Sequence, residues 1–200
     1  MRAVYALAEY CAASPDAEGG NASTPGWAGV QDLTAFHEIV EQLQGKVFAV
    51  SYAMLGSAPE ADDTAQRVFV RLYRAARPRA QQDLIRDAYR IAIDQCLCDL
   101  RLRRARRFWA WFAGSARVPA RHRLVVTEGC QERNLALRYL AMLPPGERAL
   151  LVLREVAVQP VDGIAKIMSM KPSTVRQRLF SARQRLLRIV PAANREMRSS

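Results

Sequence analysis

Apolar residues recur at steps of three and four along almost the whole chain beyond residue 33, and this spacing limits the fold more than any other feature. The first run lines one face of an amphipathic helix and consists of Phe36, Ile39, Val40, Leu43, Val47, Val50 and Met54. Similar runs follow to about residue 190, and no segment alternates apolar and polar residues as a half-buried strand does. The chain is therefore predicted to be all-α.

Two changes in composition divide this helical pattern. The first 33 residues are rich in Ala, Gly, Ser and Pro, which is typical of a disordered extension. A second break, which contains Gly114 and Pro119, separates two helical stretches that each end in a basic segment. We therefore predict two small helical bundles joined by a flexible linker. The predicted parts are a disordered extension at 1–33, a first bundle at 34–107, a linker at 108–131, a second bundle at 132–190 and a tail at 191–200.

The charge of the chain is unusual for a soluble protein. Its 200 residues include 30 Lys and Arg against 19 Asp and Glu, so the net charge is +11. Such an excess predicts a polyanionic partner, which is either nucleic acid or an acidic membrane surface. No apolar run approaches the roughly 20 residues that span a bilayer, so we expect no membrane insertion. The first 20 residues are too polar for a signal peptide, so we expect a cytoplasmic protein.

The residues that usually carry enzyme or metal chemistry form no recognisable set. The cysteines and histidines are Cys11, Cys96, Cys98, Cys130, His37 and His122. Their spacing does not match a metal site, and reduced, partly buried thiols are the simplest interpretation. No nucleophile–base pair and no phosphate-binding loop is visible. We therefore expect no enzyme activity, no metal and no cofactor.

The most informative segment lies near the end of the chain. Two short helical patterns, at 161–168 and 172–189, are separated by Ser-Met-Lys, which is the layout of a helix-turn-helix. Pro172 suits the first position of the second helix. Its apolar positions are Val175, Leu179, Ala182 and Leu186, and the side chains that point away include Arg176, Gln177, Phe180, Ser181 and Arg183. This outer face could bind the DNA major groove, or it could be the solvated basic face of a core helix.

Three segments carry a resemblance to a known family. The segment LPPGERALLVLREVAVQPVDGIAKIMSMKPSTVRQRLFSARQRL resembles region 4 of the extracytoplasmic-function (ECF) sigma factors. EADDTAQRVFVRLYRA and AYRIAIDQCLCDLRLRRARR are similar to region 2 of the same family. The order of the regions and the linker between them also match. The resemblance implies a subunit that gives core RNA polymerase its promoter specificity.

The resemblance also implies partners and site residues. Region 2 would bind the β′ clamp helices of core RNA polymerase and the −10 element of promoter DNA, and region 4 would bind the β flap and the −35 element. An anti-sigma factor is a further implied partner. The implied polymerase contacts are Asp62, Asp63, Gln66, Arg67 and Phe69. The implied −35 readers are Arg176, Gln177, Phe180 and Ser181, with Arg178 and Arg183 on phosphates. The implied −10 surface comprises the loop at 77–82, which includes Arg77 and Arg79, together with Tyr89, Arg90 and Asp94.

Several of these assignments have a purely structural alternative. Phe69 and Tyr89 could be core aromatics. Arg90 and Asp94 are four residues apart on a helix and could pair with each other. Asp62 and Asp63 could simply favour the amino terminus of their helix.

The chain also departs from the family pattern at functional positions. Asp87 and Asp94 stand where the family usually has Trp and Asn on the strand-separating surface, and a carboxylate there repels phosphate. In region 4, Val158 and Ser169 replace the usual Gly residues and Pro160 replaces the usual Ser cap.

Two other functions therefore stay open at the level of sequence. One is a sigma-like mimic that captures an anti-sigma factor without initiating transcription, which the two aspartates favour. The other is a simple helix-turn-helix regulator that uses only 132–190, but it leaves the region 2 motifs unexplained. Binding to core polymerase together with transcript formation distinguishes these functions.

Overall fold

A computed structural model describes residues 33–75, 81–112 and 131–198 of the chain. In these ranges the protein consists of helices joined by short turns, and they contain no strand, which confirms the all-α prediction. The helices are α1 (Leu33–Leu55), α2 (Ala58–Arg74), α3 (Gln81–Phe112), α4 (Gln131–Met142), α5 (Pro145–Glu155), α6 (Val161–Ile167) and α7 (Pro172–Arg198). Among the described residues, no helix is both long and apolar enough to cross a membrane.

The first bundle consists of α1, α2 and α3, which pack against one another. The predicted apolar stripe of α1 supplies Ile39, Leu43 and Val47 to a core that Val68 and Leu72 of α2 complete. α3 continues beyond the predicted end of this bundle at residue 107 and reaches Phe112. The first bundle therefore carries a helical extension.

The start of α2 differs from its sequence pattern. Ser57 and Glu60 have the spacing of a capping box, but the Ser57 side chain makes no capping hydrogen bond. Glu60 instead forms an ion pair across to α3, where Arg103 Nη2 lies 2.5 Å from its Oε2. Glu60 therefore ties α2 to α3.

The second bundle contains the helix-turn-helix. α6 and α7 lie on either side of the turn at 168–171, and α7 begins at Pro172 as predicted. Val175, Leu179, Ala182 and Leu186 are buried, so the predicted inner face of α7 is confirmed. α5 packs against both α7 and α6 and completes the support behind the recognition face.

The cores of the two bundles are continuous. Val50 and Met54 of α1 and Ile93 of α3 belong to the same buried cluster as Leu140 of α4 and Leu150 of α5. α1 contacts α4 and α5, and α3 contacts α5 and α6. In this structure the bundles therefore form one packed body, an arrangement that the separate helical patterns did not predict.

Candidate nucleic-acid and polymerase surfaces

The amino-terminal half of α7 presents the predicted DNA-reading side chains to solvent. Arg176, Gln177, Arg178 and Ser181 are exposed, and Phe180 is 65% exposed although it is aromatic. The buried inner face of α7 fixes the direction in which these side chains point. The first acidic residue of this helix is Glu196, so every charged residue before it is basic. An exposed basic helix of this kind can enter the major groove, where Arg and Gln bind base edges.

The arginines of α7 fall into two groups. Arg183 Nη2 lies 2.7 Å from Glu155 Oε1, and Arg185 Nε lies 3.0 Å from Glu147 Oε2, so both bind α5. Arg176 and Arg178 form no ion pair within the described part of the chain. The structure thus gives Arg183, which the resemblance places on a DNA phosphate, a partner inside its own bundle.

Two turns of the second bundle adopt a strained backbone. Val158 and Ser169 have φ angles of 51° and 52°, in the left-handed region that favours glycine. These are the positions at which the sequence lacks the family's usual Gly. Arg154 Nη1 donates to the backbone oxygen of Gln159 at 2.9 Å and thereby helps to hold the first turn. The Ser169 hydroxyl accepts a hydrogen bond of 2.9 Å from Arg90 Nη2 in the first bundle.

The predicted polymerase residues lie together on α2. Asp62, Asp63, Gln66 and Arg67 are exposed, whereas Phe69 is half-buried and packs against the core of the first bundle. Gln66 Nε2 donates to Asp62 Oδ2 at 3.1 Å, and Arg67 Nη2 lies 3.0 Å from Asp99 Oδ2 on α3. The same face carries an open depression of about 620 Å³ lined by Asp63, Gln66, Arg67, Val70, Arg71 and Arg74. A half-exposed valine surrounded by charged and polar side chains is suited to binding another protein.

The predicted −10 residues are not all on the surface. Arg90 and Asp94 are exposed, but Tyr89 is only 2% exposed and belongs to the core shared by the bundles. The structure therefore makes Tyr89 a core aromatic, which was the alternative to its place on the −10 surface. The Arg90 side chain extends to Ser169 of the second bundle. Arg77 and Arg79 lie outside the described residues.

Arg148 is a buried charge that sequence reasoning missed. It donates to the backbone oxygens of Met54 at 2.6 Å, Ala141 at 2.7 Å and Leu143 at 3.3 Å. Burial, together with the positive charge of Arg103, lowers the pKa of Arg148 to about 10, so it stays charged at neutral pH. Because Met54 is in α1, this side chain joins the two bundles. The sequence gives one indication that Arg148 is buried. It lies three residues before the buried Leu151, on the apolar stripe of α5.

The described cysteines are both free. Cys96 is buried in the shared core, and burial raises the pKa of its thiol to about 12, whereas Cys98 is exposed. Cys11 and Cys130 lie outside the described residues. In the described ranges, no group of three or more His, Cys, Asp and Glu side chains is placed to hold a metal ion.

Comparison with known proteins agrees with this geometry. The family model for Sigma-70 region 2 matches residues 39–108, and the model for Sigma-70, region 4 matches residues 133–186, so together they cover more than half of the chain. The chain belongs to the sigma-70 family and is of the ECF type. This is a family of transcription regulators and not of catalytic enzymes.

The chain is also similar to one curated relative and to one solved structure. The chain is 27% identical over 174 residues to the ECF RNA polymerase sigma factor SigE of Mycolicibacterium smegmatis. The match covers 86% of this chain and 64% of SigE, which is less than two thirds of the relative's length. The structure of CnrH in complex with the cytosolic domain of CnrY superposes with a TM-score of 0.55 at 19% identity. That match covers 95% of this chain and 98% of CnrH and shows a shared fold.

Proposed function

We propose that this protein is an alternative sigma factor, which binds core RNA polymerase and directs it to promoters through the −10 and −35 elements. The observation that carries the proposal is the exposed face of α7, where Arg176, Gln177 and Arg178 stand on a helix that has no acidic residue before Glu196. A region 2 bundle in the same chain distinguishes this function from that of a simple regulator. Because it acts on polymerase and DNA, we assign it to the cytoplasm.

The α2 face is the proposed site for the β′ clamp helices of core polymerase. Asp62, Asp63 and Gln66 project from it around the half-exposed Val70, and the ion pair of Arg67 with Asp99 holds α2 against α3. Fixed polar groups around an apolar centre favour one binding orientation. The second bundle is proposed to bind the β flap.

The two DNA surfaces cannot both bind a promoter while the bundles are packed together. The −35 and −10 elements are about 25 base pairs apart, which is about 85 Å at 3.4 Å per pair. Arg90 of the −10 surface is instead 2.9 Å from Ser169, in the turn that precedes the −35 helix. We infer that the packed body is a resting form and that the bundles separate on the polymerase.

An anti-sigma factor is the proposed partner of the resting form. The similar fold of CnrH was solved with the cytosolic domain of CnrY bound, which supports a protein partner for this arrangement. A partner that binds both bundles at once would stabilise the packed body by mass action.

The experiment that tests the proposed function is run-off transcription with core polymerase on a promoter library randomised at both elements. A sigma factor enriches a defined pair of elements among the transcripts. Gln177→Ala should change the enriched −35 sequence and leave the −10 sequence unchanged. Binding to core polymerase without a transcript from any library member would indicate a mimic and contradict the proposal.

A further inference from the structure

The last turns of α3 present an apolar face to solvent. Leu102, Phe108 and Trp109 are 49%, 56% and 67% exposed, and Ala105 between them is also exposed. At about 100° per residue, these four side chains lie within an arc about 120° wide. Arg103 is on the opposite side of the helix and pairs with Glu60 of α2. Phe108 and Trp109 therefore face away from the first bundle, whereas Leu102, at the start of the arc, borders the groove that α3 forms with Asp63 and Arg67 of α2.

The charges around this arc restrict what can cover it. Arg104 and Arg106 are exposed and border the arc on its two sides, and Arg101 is exposed within the width of the arc at its amino-terminal end. Residues 100–127 contain eight Arg and no Asp or Glu. A partner must therefore offer anionic groups and an apolar surface together.

We propose that residues 101–109 bind the surface of a membrane that is rich in anionic phospholipid. Leu102, Phe108 and Trp109 would enter the boundary between headgroups and acyl chains, where amphipathic helices with aromatic apolar faces lie. The arginines would reach the lipid phosphates, since their long side chains keep the charge in the headgroup layer. The helix lies on the membrane and does not cross it.

A lipid surface accounts for this face better than a nucleic acid does. Bases of a single strand could stack on Phe108 and Trp109, but they offer little to the aliphatic side chains of Leu102 and Ala105 on the same arc. An anionic bilayer covers the whole arc with hydrocarbon and presents phosphates along both of its edges. The proposal is also independent of promoter recognition, because it uses none of the residues assigned to DNA.

The first experiment follows Trp109 directly. The chain has three tryptophans, so Trp27→Phe and Trp111→Phe in the full-length protein leave Trp109 as the only one. With phosphatidylcholine vesicles that contain about one third phosphatidylglycerol, its emission should shift to shorter wavelength, and added salt should reduce the binding. With pure phosphatidylcholine, little shift is expected. An unchanged spectrum with anionic vesicles would overturn the proposal.

The second experiment separates insertion from simple attraction between the +11 chain and an anionic surface. Leu102→Gln with Trp109→Gln removes apolar area without changing charge, and it should weaken vesicle flotation at least about tenfold. Met142→Gln is the matched control, because Met142 is 55% exposed on α4, and it should bind like the wild type. Thermal unfolding of each variant checks the fold.

Two outcomes of the second experiment would overturn the proposal. If the Leu102→Gln, Trp109→Gln variant floats as well as the wild type, the vesicles merely attract the net charge. If the substitutions instead abolish binding to a single-stranded oligonucleotide and leave vesicle binding unchanged, the face belongs to nucleic acid.

Discussion

At the scale of the residue, Val158 adopts a backbone conformation, in the turn before the helix-turn-helix, that lowers the stability of the protein. Its φ of 51° is unfavourable for a β-branched side chain, and the side chain is exposed and gains little from packing. Left-handed backbone costs an L-residue about 1–2 kcal/mol, and replacement by glycine removes this cost. Glycine also increases the entropy of the unfolded chain, which offsets part of the stabilisation. Val158→Gly is therefore expected to stabilise the protein by about 1 kcal/mol in urea unfolding.

Ser169 provides the comparison for this prediction. It has nearly the same backbone conformation, but its hydroxyl also accepts the hydrogen bond from Arg90. Ser169→Gly relieves the backbone and removes that bond, so it should stabilise less than Val158→Gly. An equal gain at both positions would mean that the Arg90–Ser169 bond contributes nothing to stability.

Cys96 should make the stability of the protein fall at alkaline pH. Its folded-state pKa is about 12 against an ordinary value of 9.0, because burial disfavours the thiolate. Below pH 9 the thiol is neutral in both states, but above it the unfolded chain loses the proton first. The contribution of Cys96 to stability is therefore lost progressively from pH 9 towards 12.

Urea unfolding of two cysteine variants at pH 8 and pH 10 measures this effect. Cys96→Ala should remove about 1 kcal/mol of the loss between these pH values, since one pH unit above the unfolded pKa corresponds to about 1.4 kcal/mol. Cys98→Ala is the matched control, because that thiol is exposed, and it should retain the wild-type pH dependence. Identical pH dependence in all three proteins would contradict the assignment.

At the scale of the element, some side chains of α7 should contact base edges and others only phosphates. Arg176 lies near the amino-terminal end of the helix, which usually reaches base edges, and losing such a contact costs about 1–3 kcal/mol at one or two base pairs. Arg176→Ala should therefore relax the −35 preference. Arg178→Ala should weaken all promoters similarly and reduce the salt dependence by about one counterion. Binding of the polymerase complex to a −35 library at two salt concentrations measures both effects.

Arg183 is a useful third variant for the same helix. Since it pairs with Glu155, Arg183→Ala should lower the stability of the second bundle as well as any phosphate binding. If Arg176→Ala weakens every −35 sequence by the same factor, α7 holds DNA without reading it, and the reading role belongs to other residues.

The α2 face allows a separate prediction about polymerase. Asp63→Arg with Gln66→Ala changes two exposed side chains, so the fold should persist while affinity for core polymerase falls at least about tenfold. Glu38→Arg, an exposed charge reversal on α1, is the control and should bind normally. The fluorescence anisotropy of each labelled protein, titrated with core polymerase, measures these affinities. Unchanged binding by the double variant would exclude this face as the clamp site.

The helices and their inner faces could be predicted from sequence, but the packing between bundles could not. Periodicity identifies Val175 and Leu179 as inward-facing because a helix buries one stripe whatever it packs against. The same periodicity marks Val50 and Met54 as buried without indicating that the second bundle covers them. The resemblance places Tyr89 on the −10 surface, whereas the structure buries it in the cluster that both bundles share. Arg148 was missed because the carbonyl groups that it binds come together only in the packed body.

At the scale of the whole molecule, the packed body should open when polymerase binds. Continuous burial across the bundles and the bond from Arg148 to Met54 hold the resting form closed, whereas promoter binding requires a separation of about 85 Å. A donor dye on the exposed Cys98 and an acceptor on Met142→Cys, with Cys11 and Cys130 replaced by Ser, report the distance between the bundles. Energy transfer should be high in the free protein and fall when core polymerase is added. At a polymerase concentration that just saturates the wild type, the Asp63→Arg, Gln66→Ala variant should keep a higher energy transfer because it binds more weakly. Efficient energy transfer in a complex that still makes transcript would show that the packed body is itself active, and the resting form would have to be abandoned.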